Sequence, residues 1–332
     1  MPMHPGVESM APVAPGLRNR PVLIVCNKHR GRIAKRRQTV IVLPTRRYLS
    51  PLRYPGGKAA LAPFLSQVLA GNSLLRCSYY EPFAGGAGAA LRLLQDGDVS
   101  TLHLNDADSR IYMLWRAVFD ENERFADAVE KATPSIREWH EHYRVYTSPK
   151  RHTAFEIAYS TFFLNRCNRS GVIQGSRPIG GMDQQGPFKI DARFNTKTLA
   201  ERIRILAQFK GSVRLYNQDA LVFLKEHLPQ GKRRSNVFVY LDPPYYSKGS
   251  RLYLNYYSGA EHKALATYML KQRQLPWVMS YDDQAAIRKL YGCLVRTRIG
   301  VDYSLQMRRR SKELVIAPLR VKLPSRRASS HA

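Results

Sequence analysis

Five apolar residues, Val237-Phe238-Val239-Tyr240-Leu241, run without a break into Asp242-Pro243-Pro244-Tyr245. A short continuous apolar run predicts a strand buried on both faces. A carboxylate, two prolines and an aromatic ring then follow the carboxyl end of that strand, where open α/β sheets place their ligands. Proline has no N–H and a fixed φ, so the ladder ends there. The Pro243 carbonyl is then able to face a ligand beside the Asp242 carboxylate. Two rigid acceptors next to the Tyr245 ring suit a planar base that carries an exocyclic amine. The acceptors take its N–H bonds and the ring stacks on its face. Asp-Pro and Pro-Pro are also ordinary loop punctuation, so these four residues do not decide the matter alone.

Composition narrows the partner. The chain has 332 residues, enough for one large domain or two modest ones. Lys and Arg number 53 against 25 Asp and Glu, a net charge of +28, which points to a polyanion or an anionic surface. No apolar run is long enough to span a bilayer, so no membrane role is expected. Cys26, Cys77, Cys167 and Cys293 are scattered without CxxC or zinc spacing. They read as reduced thiols, no metal is expected, and the expected setting is cytoplasmic.

Part of the charge is concentrated. Residues 1–50 hold ten Lys or Arg against one acid, Glu8, and the first twenty are rich in Pro and small side chains. Residues 1–47 therefore read as a basic, flexible extension. An Arg-rich, acid-poor start also resembles a transit peptide, but it lacks the apolar core of a secretory signal. A short basic tail, 321–332, closes the chain.

The organised sequence begins near Tyr48. Arg53-Tyr54-Pro55-Gly56-Gly57-Lys58 forms a tight turn feeding a predicted helix over 61–69. Lys58 at a helix start opposes the helix dipole, which implies another use for its charge. Tyr79-Tyr80-Glu81-Pro82-Phe83-Ala84-Gly85-Gly86 reads as a strand ending in a glycine turn, with a helix over 89–95 behind it. Such a turn lets a ligand approach the backbone, although no G-x-G-x-x-G fingerprint is present. Asp106 follows a second strand, where a carboxylate can bind ribose hydroxyls. Asp106 or Asp108 could equally cap the next helix. Together these segments predict an adenosine-containing cofactor.

In order and spacing, the PGGK-type turn, the Phe-x-Gly-Gly turn, a long insertion and Asp-Pro-Pro-Tyr resemble the α-group, D12 class (Dam-like) DNA adenine N6-methyltransferases. The resemblance covers roughly 48–320. It implies a Rossmann-like, S-adenosylmethionine-dependent α/β fold, assembled from 48–120 and 211–320, with a helical target-recognition insertion at 121–210. It implies Tyr54, Lys58, Phe83, Gly85 and Asp106 as cofactor contacts. Asp242 would lie beside the methyl group, and Asp242, Pro243, Pro244 and Tyr245 would form the catalytic motif. It further implies double-stranded DNA as partner, a monomer, a bacterial or phage-borne protein, and service in restriction-modification.

Within the insertion a predicted helix over 153–164 leads into Asn165-Arg166-Cys167-Asn168-Arg169-Ser170-Gly171. Arg166 and Arg169 are candidate phosphate contacts, and Gln174, Arg177 and Gln184 candidate readers of base edges. Strands are predicted over 213–216, 277–282, 294–299 and 313–317. Asp219, after the first of these, either approaches the cofactor's adenine or caps the helix over 220–227. Arg308-Arg309-Arg310 is placed in the loop between the last two strands, a candidate phosphate clamp centred on Arg309. The expected chemistry is methylation of the adenine N6 amine in a base flipped out of the duplex. Cytosine N4 methylation, an RNA substrate and a catalytically silent DNA-binding protein remain as alternatives.

Overall fold

Strand β4 (Val237–Leu241) is buried at all five positions, as its unbroken apolar run requires of a strand covered on both faces. Its parallel neighbours are β1 (Cys77–Glu81) and β5 (Trp277–Asp282). A computed structural model describes residues 49–53, 58–246, 257–303 and 309–324. These all fall within one compact unit, 46–332.

The sheet has seven strands in the order β3-β2-β1-β4-β5-β7-β6. The other members are β2 (Val99–Asn105), β3 (Val213–Tyr216), β6 (Val295–Tyr303) and β7 (Arg309–Ile316). The first five in that order run parallel, and β7 is antiparallel to both β5 and β6. The chain starts in the middle at β1, proceeds outward to β2 and β3, and then returns to β4. The crevice between β1 and β4 is therefore the topological switch point, where doubly wound sheets bind ligands.

Ten α-helices occur among the described residues. One face of the sheet packs with α1 (Ala62–Gly71), α2 (Gly88–Gln95) and α3 (Ser109–Asp120) through side chains such as Leu65, Ala90 and Trp115. Tyr79, Phe238, Tyr240 and Val278 point to this side. The opposite face carries α8 (Ala220–His227), α9 (Gly259–Lys271) and α10 (Ala285–Tyr291), packed on Val239, Leu241, Trp277 and Met279. The alternation follows directly from the two-residue period of a strand. Between α3 and β3 the chain forms α4 (Asn122–Glu130), α5 (Ile136–Thr147), α6 (Ala154–Cys167) and α7 (Thr196–Leu206). These add Phe125, Phe162, Phe163 and Phe194 to the first core.

The expected strand over 213–216 and helix over 220–227 match β3 and α8 in both bounds. The last two strands are longer than expected. Arg309 and Arg310 belong to β7, paired with Tyr303 and Asp302 of β6, and are not loop residues. Backbone pairing continues past the apolar part of the strand, which is all that periodicity detects. Arg308 lies outside the described residues, as do Tyr54 and the extension 1–47. Cys77 and Cys167 are buried free thiols, and burial pushes Cys77 up to about 12.

Candidate active site at the carboxyl ends of the strands

Register aligns the ends of the central strands. Glu81 is level with Leu104 of β2, and Tyr80 is level with Val239 of β4. Phe83 follows the end of β1 by two residues, while Asp106 follows β2 and Asp242 follows β4 by one, so all three leave the same edge of the sheet. Leu241 pairs with Met279, so Asp242 stands level with Ser280, whose hydroxyl donates to Asp242 Oδ1 at 3.0 Å. Tyr240 Oη lies 2.9 Å from the same Ser280 hydroxyl in a buried pair. Asp242 is thus fixed from below by a side-chain relay, with part of its carboxylate open to solvent.

Lys58 lies at the start of a single 3-10 turn (Lys58–Leu61) leading into α1. Its side chain is buried, and its ammonium reaches three oxygens. Glu313 Oε1 of β7 is at 2.6 Å, the Tyr245 hydroxyl at 3.1 Å and Asp242 Oδ1 at 3.2 Å. The Tyr245 hydroxyl in turn donates to Glu313 Oε1 at 2.6 Å. The other use implied for the charge of Lys58 is this cluster. Burial pushes the Asp242 carboxyl up to about 6, against the opposing pull of Lys58, and the Glu313 charge adds to the rise.

The glycine turn forms the adjoining wall. Gly85 sits at φ +46°, a left-handed conformation that a side chain would oppose. Its N–H donates to Asp106 Oδ2 at 2.8 Å, and its carbonyl accepts from Trp115 Nε1 at 2.8 Å. Asp108 caps α3, accepting from the Arg110 N–H, so Asp106 is not the cap. Asp106 instead ties the glycine turn to the end of β2, and burial pushes its carboxyl up to about 7. Glu81 is buried at the end of β1. Burial first, and the Asp242 and Asp106 charges with it, hold its carboxyl well above the usual range. Its Oε2 has no hydrogen-bond partner among the described residues. Phe83 meets Tyr257 edge-on, ring centroids 5.5 Å apart. Asp219 caps α8 by accepting from the Leu221 and Val222 N–H groups.

Three carboxylates with raised affinity for protons thus crowd the ends of β1, β2 and β4. The D12 class of N6 adenine-specific DNA methyltransferases matches residues 54–299. The chain belongs to this family. Among curated proteins no sequence matches it. Among solved structures it resembles the rRNA methyltransferase aviRa from Streptomyces viridochromogenes, at 13% identity and a TM-score of 0.30, over 78% of this chain and 84% of that one. The protein is an adenine-specific DNA methyltransferase by family, and its sheet is the Rossmann-like frame expected of one.

The inserted region of this methyltransferase separates the basic residues expected to touch nucleic acid. Arg166 is turned inward, its guanidinium donating to the backbone carbonyls of Pro51 and Arg193. Burial lowers it to about 9, with Arg53 and Arg202 adding to the effect. Asn165 grips the other side of the same segment, accepting from the Arg53 N–H at 2.8 Å and donating to the Arg53 carbonyl at 2.7 Å. Arg53 itself donates to the Asn168 carbonyl at 3.0 Å. Gly171, at φ +72°, lies so close that a Cβ there would sit 2.0 Å from the Arg53 carbonyl oxygen. The Asn-Arg-Cys-Asn run is therefore a clasp on residues 51–53, just ahead of the PGGK-type turn.

Gln184 is likewise spent on structure, donating to the Ile179 and Gly181 carbonyls and accepting from the Ile190 N–H. Arg169 and Arg177 fare differently. Asn168 and Pro178 form an antiparallel bridge, and the Arg169 N–H donates to the Arg177 carbonyl at 3.0 Å. Both arginines are exposed on the two sides of the loop this bridge closes, Arg169 in a 3-10 turn, and neither makes an ion pair among the described residues. Glu313 and Glu81 were missed as site residues. A lone acid amid the basic start of a strand (Arg309-Arg310-Ser311-Lys312-Glu313) and an acid directly after two tyrosines were the available signals.

Proposed function

We propose that the protein methylates the N6 amine of an adenine flipped out of double-stranded DNA, using S-adenosylmethionine. The observation that carries this reading is Asp242 at the carboxyl end of β4, beside the switch point, fixed by Ser280 and Lys58. The cofactor fits the wall described above. It has a cationic sulfonium, an α-ammonium and ribose hydroxyls, all complementary to a cluster of partly uncompensated carboxylates. Glu81 Oε2, buried and with no hydrogen-bond partner among the described residues, is the natural acceptor for a donor of the cofactor. Asp106 beside the glycine turn serves the ribose hydroxyls. Phe83 and Tyr257 border the adenine position, with Asp219 capping the helix nearby.

S-adenosylmethionine, when bound, supplies the methyl group on a positively charged sulfur. The protein's task is to make a poor nucleophile competent. The N6 lone pair is delocalised into the adenine ring. Asp242 and the Pro243 carbonyl accept its N–H bonds and localise the lone pair on nitrogen, while Pro244 keeps the segment rigid. Tyr245 stacks on the base. Positive charge that develops on N6 is opposed by the Asp242 carboxylate, an acceptor set before the reaction begins. Positioning and electrostatics carry the rate, with no strong base required.

Residues 121–210 are assigned to target recognition. The exposed Arg169 and Arg177, side by side on one bridged loop, support an anionic partner, and Arg309 on β7 is a further phosphate contact in this reading. Expression in a methylation-free host, followed by mass spectrometry of digested DNA, tests the proposal. N6-methyladenine is expected. N4-methylcytosine alone would transfer the reading to cytosine, and modified RNA with unmodified DNA would change the substrate. Absence of all three, with no cofactor binding, would leave a silent DNA-binding protein.

A further inference from the structure

Glu313 has no place in the chemistry derived so far, yet it is one of the most buried charged groups in the molecule, 1% exposed. It comes from β7, whose register places it opposite Asp282 of β5 rather than opposite Asp242. One of its oxygens, Oε1, receives both the Lys58 ammonium and the Tyr245 hydroxyl, each at 2.6 Å. Lys58 is closer to this oxygen than to Asp242 Oδ1, which lies at 3.2 Å. Lys58 thus stands between two carboxylates, Glu313 and Asp242.

We propose that Glu313 is a positioning residue of the methyl-transfer site, which draws Lys58 away from Asp242 and fixes the Tyr245 ring by its hydroxyl. The inference rests on the reading of Asp242 as the acceptor of the N6–H bond. Without Glu313, the ammonium would close on Asp242 and compete with the base for the same oxygen lone pairs. With it, Lys58 is held by a second carboxylate and only part of its charge is spent on Asp242. Tyr245, tied at its hydroxyl, presents its ring in one orientation instead of several, which reduces the ordering required when a base arrives.

The groups facing Asp242 are known from each packed element. Lys58 approaches from ahead of α1, Glu81 and Tyr79 from β1, Tyr240 from its own strand, Tyr281 from β5 and Glu313 from β7. Burial holds the three tyrosines neutral. Glu81 is held toward its protonated form by burial. Lys58 and Glu313 are therefore the groups that set the charge state of Asp242, with opposite sign.

The experiment is a pH profile of the single-turnover rate for the full chain with DNA and S-adenosylmethionine. Parent, Glu313→Gln and Tyr245→Phe are compared, with melting curves and DNA affinity measured alongside. Glu313→Gln keeps the shape and removes the charge. Its rate should fall roughly tenfold to a hundredfold, the range for loss of a hydrogen bond to a charged group. DNA affinity should be unchanged, and the acid limb should move down by about one pH unit or more, because Glu313 no longer competes with Asp242 for Lys58. Tyr245→Phe removes a donor from Glu313 Oε1, which strengthens the hold of Glu313 on Lys58. Its acid limb should move up instead. A folded Glu313→Gln with the parent's rate and acid limb overturns the proposal. If that variant does not fold, an acid limb in Tyr245→Phe that stays in place or moves down overturns it. A parent that produces no N6-methyladenine fails at the proposed function. An active parent with unshifted variants fails at this inference alone.

Discussion

Asp242 is a carboxylate whose ionisation is finely balanced. Burial disfavours its charge, Lys58 favours it, and the result lies at about 6. Only the ionised form accepts both lone-pair bonds. Transfer should therefore fall as pH drops through about 6, and should be flat above it until another group titrates. A rate that keeps rising as pH falls from 7 to 5 would contradict the assignment. Asp242→Ala should abolish transfer yet leave DNA binding largely intact, because phosphate contacts supply most of the affinity. A variant within tenfold of the parent would exclude Asp242 as acceptor. Tyr245→Ala should lose about one to two decades in rate, the worth of one base–aromatic stack realised in the transition state. At this scale the sequence was informative wherever a residue opposed its local setting. Lys58 at a helix start was such a conflict, and the structure resolves it with two carboxylates. Glu313 posed no conflict, since an acid among basic residues looks like a solvated strand end. Its burial depends on Lys58, 255 positions away along the chain.

The elements were legible to different degrees for a physical reason. β4, β3 and α8 are fixed by local pattern, apolar runs and a capping aspartate, and they appear where expected. β7 was cut short because its first residues are charged, and backbone pairing with β6 leaves no mark on hydropathy. Arg166 and Arg169 stand as candidate phosphate contacts from their residue type, while the clasp that Arg166 shares with Asn165, Asn168 and Gly171 is made to the backbone of Pro51, Arg53 and Arg193 and to the Arg53 guanidinium. Contacts to backbone carbonyls and amides leave no mark on a side-chain pattern. Gly171→Ala tests the clasp. The added Cβ would overlap the Arg53 carbonyl, and the left-handed backbone adds strain, so the substitution should cost about 2–4 kcal/mol. Denaturant melting measures this, and a loss under about 0.5 kcal/mol, the scale of neutral surface changes, would show that the segment is not held there. Asp219 offers a milder test. Asp219→Ala should cost about 1 kcal/mol from the lost cap. Any further loss of cofactor affinity would show that the cap also serves the ligand.

For the molecule as a whole, the +28 charge is an expectation about partners more than about fold. DNA affinity should fall steeply with salt, as counterion release demands, and a flat dependence would place the charge away from the interface. Deleting residues 1–45 removes eight Lys or Arg and one acid. The fold should survive, because Leu49, Ser50 and the clasped residues 51–53 remain, with the Ser50 hydroxyl on the Gly86 carbonyl at 2.6 Å. Methyl transfer should survive too, with a shallower salt dependence. An insoluble or inactive truncation would mean that the extension contributes structure. The order in which the site's residues leave the ribosome adds a consequence of β7 lying between β5 and β6. Lys58, Glu81, Asp106 and Asp242 are synthesised early enough to meet on a partial sheet, but Glu313 arrives on a strand that must insert last. A nascent chain that has not yet delivered this strand holds a lysine and an aspartate in each other's grip, with nothing to separate them. In this reading the site is complete only once β7 has paired with β5.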